Sequence, residues 1–222
     1  MAFQLKKENK SDSSIVYHLP TSKSALIIFT RNPELGRCKT RLAKTVGDED
    51  ALAIYKILLE HTVKITKDLS VDKYVYYSNS VAKNDVWNEE IFRKKKQSGE
   101  DLGLRMKNAF LDLYDMGYGR IIIIGSDMYD LSKTDLENAF SCLEKNDIVV
   151  GPASDGGYYL LGMKELHPAV FQNKNWGTNT VLEDTMADVF NKRICKLQER
   201  NDIDVYEDIV GLNIFQKFIE KI

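Results

Sequence analysis

Ala25-Leu26-Ile27-Ile28-Phe29 and Ile121-Ile122-Ile123-Ile124 are unbroken runs of apolar residues. A strand with one wet face alternates polar and apolar side chains, so an unbroken apolar run of strand length calls for cover on both faces. That requirement points to the interior of a parallel sheet with helices above and below. The intervening segments have matching periods. From Asp48 to about Lys67, Leu52, Tyr55, Leu58, Leu59, Val63 and Ile65 fall near helical spacing, with Asp48 as the predicted N-cap. Val71 to Tyr77 alternates as a strand, and Ile91 to Lys95 reads as a further short one. Asp101 to Met116 is amphipathic and ends at Gly117. Ser132 and Asp135 have capping-box spacing for a helix to about Glu144, followed by strands at Ile148 to Pro152 and Tyr158 to Met163. A helix near Val181 to Asn191, a strand around Ile194 to Leu197 and a last helix from Val205 complete the pattern. Strands alternating with helices predict one α/β domain over residues 24–222 with a mostly parallel central sheet.

Residues 1–23, rich in Lys, Ser, Asn and Asp, form a polar N-terminal extension, within which Ile15, Val16, Tyr17 and Leu19 could add a short edge strand. With 31 basic and 33 acidic residues the net charge is -2, so no overall field draws nucleic acid or an anionic membrane, and any anion site must be local. No apolar run is long enough to span a bilayer and the first 20 residues lack a signal-like apolar segment, so a cytoplasmic location is expected. Cys38, Cys142 and Cys195 have no C-x-x-C spacing and are expected to be reduced thiols, and the scattered His18, His61 and His167 do not suggest a histidine-built metal site.

In an open α/β sheet ligands bind beyond the carboxyl ends of the strands, so the loops leaving the two apolar runs are where chemistry is expected. The first, from Arg31 through Asn32 and Pro33 to Leu42, places Arg37, Lys39 and Arg41 at alternating positions behind Gly36. Gly36 can adopt positive φ, Lys39 is a compact charge, and a guanidinium can grip two oxygens as a planar fork. Such a loop can wrap a phosphate, although a solvated basic loop is the plainer alternative. It is neither a Walker A loop nor a dinucleotide fingerprint, because the glycine spacings differ. After the second run, Gly125-Ser126-Asp127 projects a carboxylate where Mg²⁺ could meet the same phosphates, the alternative being a turn aspartate. Asp130 reads as well as the start of the following turn. Asp155-Gly156-Gly157 is an ordinary turn signal, yet its glycines could let a ligand approach and Tyr158 and Tyr159 follow it. Trp176 to Thr180 precedes a helix and could meet an anionic acceptor, or could simply cap that helix. Asp202 or Asp204 could provide a second metal carboxylate, although Asp204 and Glu207 also have capping-box spacing.

Taken together, F-x-x-x-P-x-x-G-x-x-K-T-R-L from Phe29, D-L-G-x-R-M from Asp101, Gly125 to Asp127, G-P-A-x-D-G-G-Y-Y from Gly151, W-G-T at Trp176 and the closing D-x-D-x-x-E-D resemble an uncharacterised family of transferases with the GT-A, or nucleotide-diphospho-sugar transferase, fold. The chain departs from that pattern at Met128-Tyr129-Asp130, where the family usually has a proline. The resemblance implies a three-layer fold with helices on both sheet faces, and a metal-dependent transferase using Mg²⁺ or Mn²⁺. Its donor would be a nucleoside triphosphate or a nucleotide sugar and its partner a small-molecule acceptor, with neither nucleic acid nor a membrane involved. Lys39, Asp127 and Asp155 are the expected catalytic residues, with Asp155 the candidate general base for glycosyl transfer. Arg31, Gly36, Arg37, Lys39, Arg41, Gly156 and Gly157 are expected to bind the donor, and Asp127 and Asp204 the metal. Nucleotidyl and glycosyl transfer both remain open, and the alternative is an inactive nucleotide- or partner-binding module of the same fold.

Overall fold

The computed structural model describes residues 20–221. Seven strands form one sheet: β1 (Ser24–Thr30), β2 (Asp72–Tyr77), β3 (Phe92–Lys96), β4 (Arg120–Gly125), β5 (Ile148–Pro152), β6 (Tyr158–Met163) and β7 (Ile194–Lys196), in the order β3-β2-β1-β4-β6-β5-β7. All neighbouring pairs are parallel except those made by β6, which runs against β4 and β5. The helices are α1 (Thr40–Val46), α2 (Asp48–Thr66), α3 (Leu102–Asp115), α4 (Lys133–Lys145), α5 (Val181–Asp188) and α6 (Gln216–Ile219).

The unbroken apolar runs follow from the layers. On β1, Leu26 and Ile28 join a core with Ile54 and Leu58 of α2 and Leu136 of α4, whereas Ala25 and Ile27 face Phe110 and Leu113 of α3. On β4, Ile122 and Ile124 take the first side, Ile121 and Ile123 the second. Each strand is thus buried on both faces, which makes the arrangement three-layered. Fully burying one such aliphatic side chain stabilises the fold by roughly 1.5–3 kcal/mol, so these central strands are its main anchor.

The topology also locates a crevice. After β1 the chain moves outward to β2 and β3, then returns to lay β4 on the other side of β1. The loops leaving β1 and β4 therefore diverge at a topological switch point, where open α/β sheets hold their ligands.

Several local expectations change. Helix α1 occupies a stretch expected to be loop, and Gly47, not Asp48, is the N-cap of α2. The expected last helix is a series of short turns at Tyr206–Asp208 and Asn213–Phe215 followed by α6. Glu207 takes no part in a capping box with Asp204: Asp208 accepts from the backbone N–H groups of Asp204 (2.8 Å) and Val205 (2.7 Å). Cys142 of α4 and Cys195 of β7 form a disulfide, which corrects the expectation of three reduced thiols and leaves Cys38 buried and free. By contrast, Ser132 and Asp135 do form the expected capping box. The candidate strand at residues 15–19 lies outside the described residues, and residues 21–23 are tied to the domain: Thr21 bonds to Asp72, and the Lys23 carbonyl accepts from Gly119 and Arg120. Among the described residues no helix is long and apolar enough to cross a membrane.

Candidate active site

The ends of β1 and β4 are stitched together by a buried hydroxyl network. Their parallel register sets Phe29 beside Gly125. The Tyr55 hydroxyl, reaching up from α2, lies 3.2 Å from Thr30 Oγ1 and 3.1 Å from Ser126 Oγ, and accepts from the Arg31 backbone N–H at 2.9 Å. Burial pushes the Tyr55 pKa up, so the hydroxyl stays neutral and can donate as well as accept. Asn32 extends the support through its side chain, whose Nδ2 donates to the Ser80 carbonyl at 2.8 Å while its Oδ1 accepts from Asn79 N–H at 3.1 Å. The two departing loops thus have a rigid base.

From that base the first loop folds back into α1 through two left-handed residues, Gly36 at φ 69° and Lys39 at φ 48°. For a residue with a Cβ this conformation costs roughly 1–2 kcal/mol, and such strain persists only where the surroundings over-determine it. What holds Lys39 is visible. Its carbonyl starts α1 by accepting from Ala43, and its Nζ donates to Asp127 Oδ2 at 3.0 Å with only 7% of the side chain exposed. Burial works against the ammonium, but Asp127, with Asp202 and Asp204 behind it, more than offsets this and raises the Lys39 pKa above the ordinary value. Lys39 is therefore a fixed, permanently charged cation at the end of β4.

The closing acidic segment lies beside Asp127, a meeting that sequence alone left open. Ile203 N–H donates to the Asp127 carbonyl at 3.2 Å, placing Asp202 and Asp204 either side of this tether. They do different things. Asp204 is paired with Arg41 at 2.6 Å, whereas Asp202 is half-buried, and desolvation together with the neighbouring Asp127 charge pushes its pKa up to about 6 despite Lys39 nearby. The carboxylate on which the Asp127 charge acts is therefore Asp202, which sequence alone did not separate from Asp204. Among the described residues no set of three or more His, Cys, Asp or Glu side chains is arranged to hold a metal ion. A pair of carboxylates still suits Mg²⁺ or Mn²⁺ that completes its shell with water and ligand phosphate, because such ions are commonly held by only one or two protein carboxylates.

The remaining expected residues divide. Arg31, Arg37, Arg41, Asp155 and Gly157 line the same trough as Lys39 and Asp127. Arg37 is paired with Glu34 at 3.3 Å and is largely exposed. Gly36 and Gly156 do not line the trough. Gly36 provides the turn, and Gly156, at φ 87°, lets the Asn179 backbone approach: a Cβ there would stand 2.2 Å from the Asn179 carbonyl oxygen. Asp155 Oδ1 accepts from Gly157 N–H at 2.8 Å, the geometry of an Asx turn, with the carboxylate exposed at the rim. Asp130 is bound by Arg200 at 3.1 Å, so it supports the loop from outside the trough. The departure at Met128-Tyr129 has a packing explanation: Met128 is buried, and Tyr129 packs against His61 and Phe215 with ring centroids 4.8 and 5.3 Å away. The loop is held without a proline.

The trough has a volume of about 940 Å³ and crosses the carboxyl ends of the strands from Ser78 and Gln97 to Tyr158 and Trp176. That volume lies at the upper end of the range for small-molecule sites.

Comparison with known proteins agrees with this architecture. The family described as "uncharacterized protein conserved in bacteria (DUF2064)" matches residues 61–178, and the chain belongs to it. No curated protein matches the chain. A proposed nucleotide-diphospho-sugar transferase from Desulfovibrio desulfuricans G20 is similar at TM-score 0.80 and 27% identity over 90% of this chain and 95% of that one. A cytidylyltransferase from Leptospira borgpetersenii serovar Hardjo-bovis (strain JB197) aligns at TM-score 0.57 and 12% identity over 92% and 94% of the two chains. The Rv0371c protein of Mycobacterium tuberculosis H37Rv, solved as a manganese complex, aligns at TM-score 0.54 and 10% identity over 90% and 100%. The last two likenesses concern the fold alone. The chain thus has the fold of nucleotide-dependent transferases.

Proposed function

We propose that this member of the family is a metal-dependent transferase acting on a nucleotide-activated donor, and that nucleotidyl transfer is its reaction. The observation that carries the reading is the Lys39–Asp127 pair: a buried ammonium in a strained backbone conformation, held 3.0 Å from a strand-end carboxylate at the switch point. In nucleotidyl transfer an acceptor oxyanion attacks the α-phosphorus of a nucleoside triphosphate and pyrophosphate leaves. Negative charge gathers on phosphate oxygens, and a fixed cation already in place stabilises it without reorganisation. Lys39 has that role. Arg41 and Arg37 stand at the mouth on exposed ion pairs, which are worth at most about 1 kcal/mol and are readily exchanged for phosphate. Asp127 and Asp202 would hold Mg²⁺ or Mn²⁺, which when bound supplies further charge neutralisation at the same oxygens.

An oxyanion acceptor needs no general base, so this reaction gives Asp155, whose Oδ1 accepts from Gly157 N–H, no proton to take. Glycosyl transfer is the second reading, favoured by the 27% identical structure described as a proposed nucleotide-diphospho-sugar transferase. The two separate by product. Incubation with nucleoside triphosphates or nucleotide sugars, Mg²⁺ and a panel of small phosphorylated acceptors should release pyrophosphate from a triphosphate. Release of nucleoside diphosphate from a nucleotide sugar would replace nucleotidyl with glycosyl transfer. Lys39→Ala and Asp127→Asn should each lower kcat by about 100-fold or more. Full activity in both variants would remove this site from the reaction.

A further inference from the structure

The D-L-G-x-R-M motif at the start of α3 has no part in the phosphate grip, and most of it has a structural task. Asp101 caps the helix by accepting from Leu104 N–H at 2.7 Å. Gly103 is needed because a Cβ there would stand 2.4 Å from the Phe171 carbonyl oxygen and 2.5 Å from Trp176 Cζ2, so the indole lies directly on the helix backbone. Met106 is buried, with its sulfur 3.9 Å from the Tyr158 hydroxyl. Arg105 alone exceeds its structural duty. Its Nε donates to the Gly99 carbonyl at 2.9 Å, which fixes the side chain on the trough wall, and among the described residues no carboxylate pairs with its guanidinium. Of the loop cations on the same trough, Arg37, Lys39 and Arg41 have such partners, and Arg31, like Arg105, has none.

Arg105 therefore sits on the one turn of α3 that also touches Trp176 through Gly103 and Tyr158 through Met106, and all three side chains line the trough. We propose that Arg105, Trp176 and Tyr158 form a second subsite that takes the anionic end of the acceptor, a phosphate or carboxylate carried on a ring such as that of a sugar. This rests on the reading of the trough as a two-substrate transferase site. The remaining guanidinium N–H donors match two oxygens of one anion, and the flat aromatic surfaces cover the body attached to it. The donor's phosphates have their own cations on the β1 loop, so a separate, carboxylate-free arginine on a different element gives the acceptor its own anchor.

Isothermal titration of the full chain tests this with glucose 1-phosphate and glucuronate as organic anions, inorganic phosphate as the bare anion and glucose as the neutral control. Uridine diphosphate with Mg²⁺ serves as a separate probe of the phosphate grip. At least one organic anion should bind and glucose should not. Arg105→Gln, which keeps a donor for Gly99, should weaken that binding at least 10-fold while leaving the uridine diphosphate affinity within about twofold, and Arg105→Lys should recover part of the loss. Trp176→Phe should weaken the organic anion more than inorganic phosphate. The subsite is overturned if neither organic anion binds, or if their binding survives Arg105→Gln. If the organic anion binds through Arg105 and uridine diphosphate does not bind at all, the subsite stands and the phosphate grip fails.

Discussion

At the scale of single residues, the site is marked by strain and by unequal partnerships. Lys39 pays for its position with a left-handed backbone, and this can be separated from its charge. Lys39→Gly and Lys39→Ala both remove the ammonium and should both abolish turnover, but only glycine relaxes the backbone. The glycine variant should therefore unfold in denaturant with a stability about 1 kcal/mol above that of the alanine variant. Equal stabilities would show that the conformation stores no strain. Asp72 is a second telling residue, far from the trough. Its buried carboxylate accepts from Thr21, Tyr118 and Arg93, and although burial alone would raise its pKa, these bonds hold it well below the usual carboxylate range. A depressed pKa contributes stability that is fully present above the unfolded value, roughly 3.9, and is lost as pH falls towards the folded value. Acid unfolding followed by circular dichroism should show wild-type stability falling below about pH 4 with a steeper slope than in Asp72→Asn, which should already be less stable at pH 7. Parallel pH profiles would deny Asp72 this role.

At the scale of elements, the strands were far more legible than the loops. An apolar run such as Ile121 to Ile124 states its own burial, and the capping box of Ser132 and Asp135 was readable because a side chain three residues from its target is local chemistry. Helix α1 was not legible, since its Thr-Arg-Leu-Ala-Lys-Thr-Val sequence buries only Leu42 and follows a left-handed lysine that no propensity argument anticipates. Gly156 was read as room for a ligand because sequence shows a glycine's freedom but not who uses it; the user is the Asn179 backbone. Both conditions forbid a side chain there, a positive φ and a contact with rigid backbone. Gly156→Ala should cost about 1–3 kcal/mol and loosen the Asn179 to Leu182 turn, raising amide exchange at Leu182, which donates to Gly156. Wild-type exchange at Leu182 with unchanged stability would contradict the packing.

Whole-molecule features depend on distant parts meeting, and these were the least readable. The odd cysteine count suggested free thiols, yet the fold brings Cys142 and Cys195 together across a sequence separation of 53. Closing a loop of that length stabilises a chain by about 2–4 kcal/mol, so a reducing agent should lower the melting temperature of the wild type but not of Cys142→Ser. Three titratable thiols in denatured, unreduced protein would show that the bond does not form. The meeting of Asp202 with Asp127 was hidden for the same reason: nothing local announces that residue 203 will donate to a carbonyl at the end of β4. The two central strands were nevertheless legible as apolar runs, and the loops that leave them diverge at the switch point of the sheet.

If Lys39 and its neighbours at this divergence grip nucleotide phosphates, removing the ammonium must weaken nucleotide binding. Isothermal titration of wild-type protein and Lys39→Ala with nucleoside di- and triphosphates in the presence of Mg²⁺ tests it most directly. Wild type should bind at least one nucleotide saturably, and the variant should bind it at least 10-fold more weakly, a difference of about 1.4 kcal/mol. Nucleotide binding unaffected by the substitution, or no binding to wild type by any nucleotide, would contradict it.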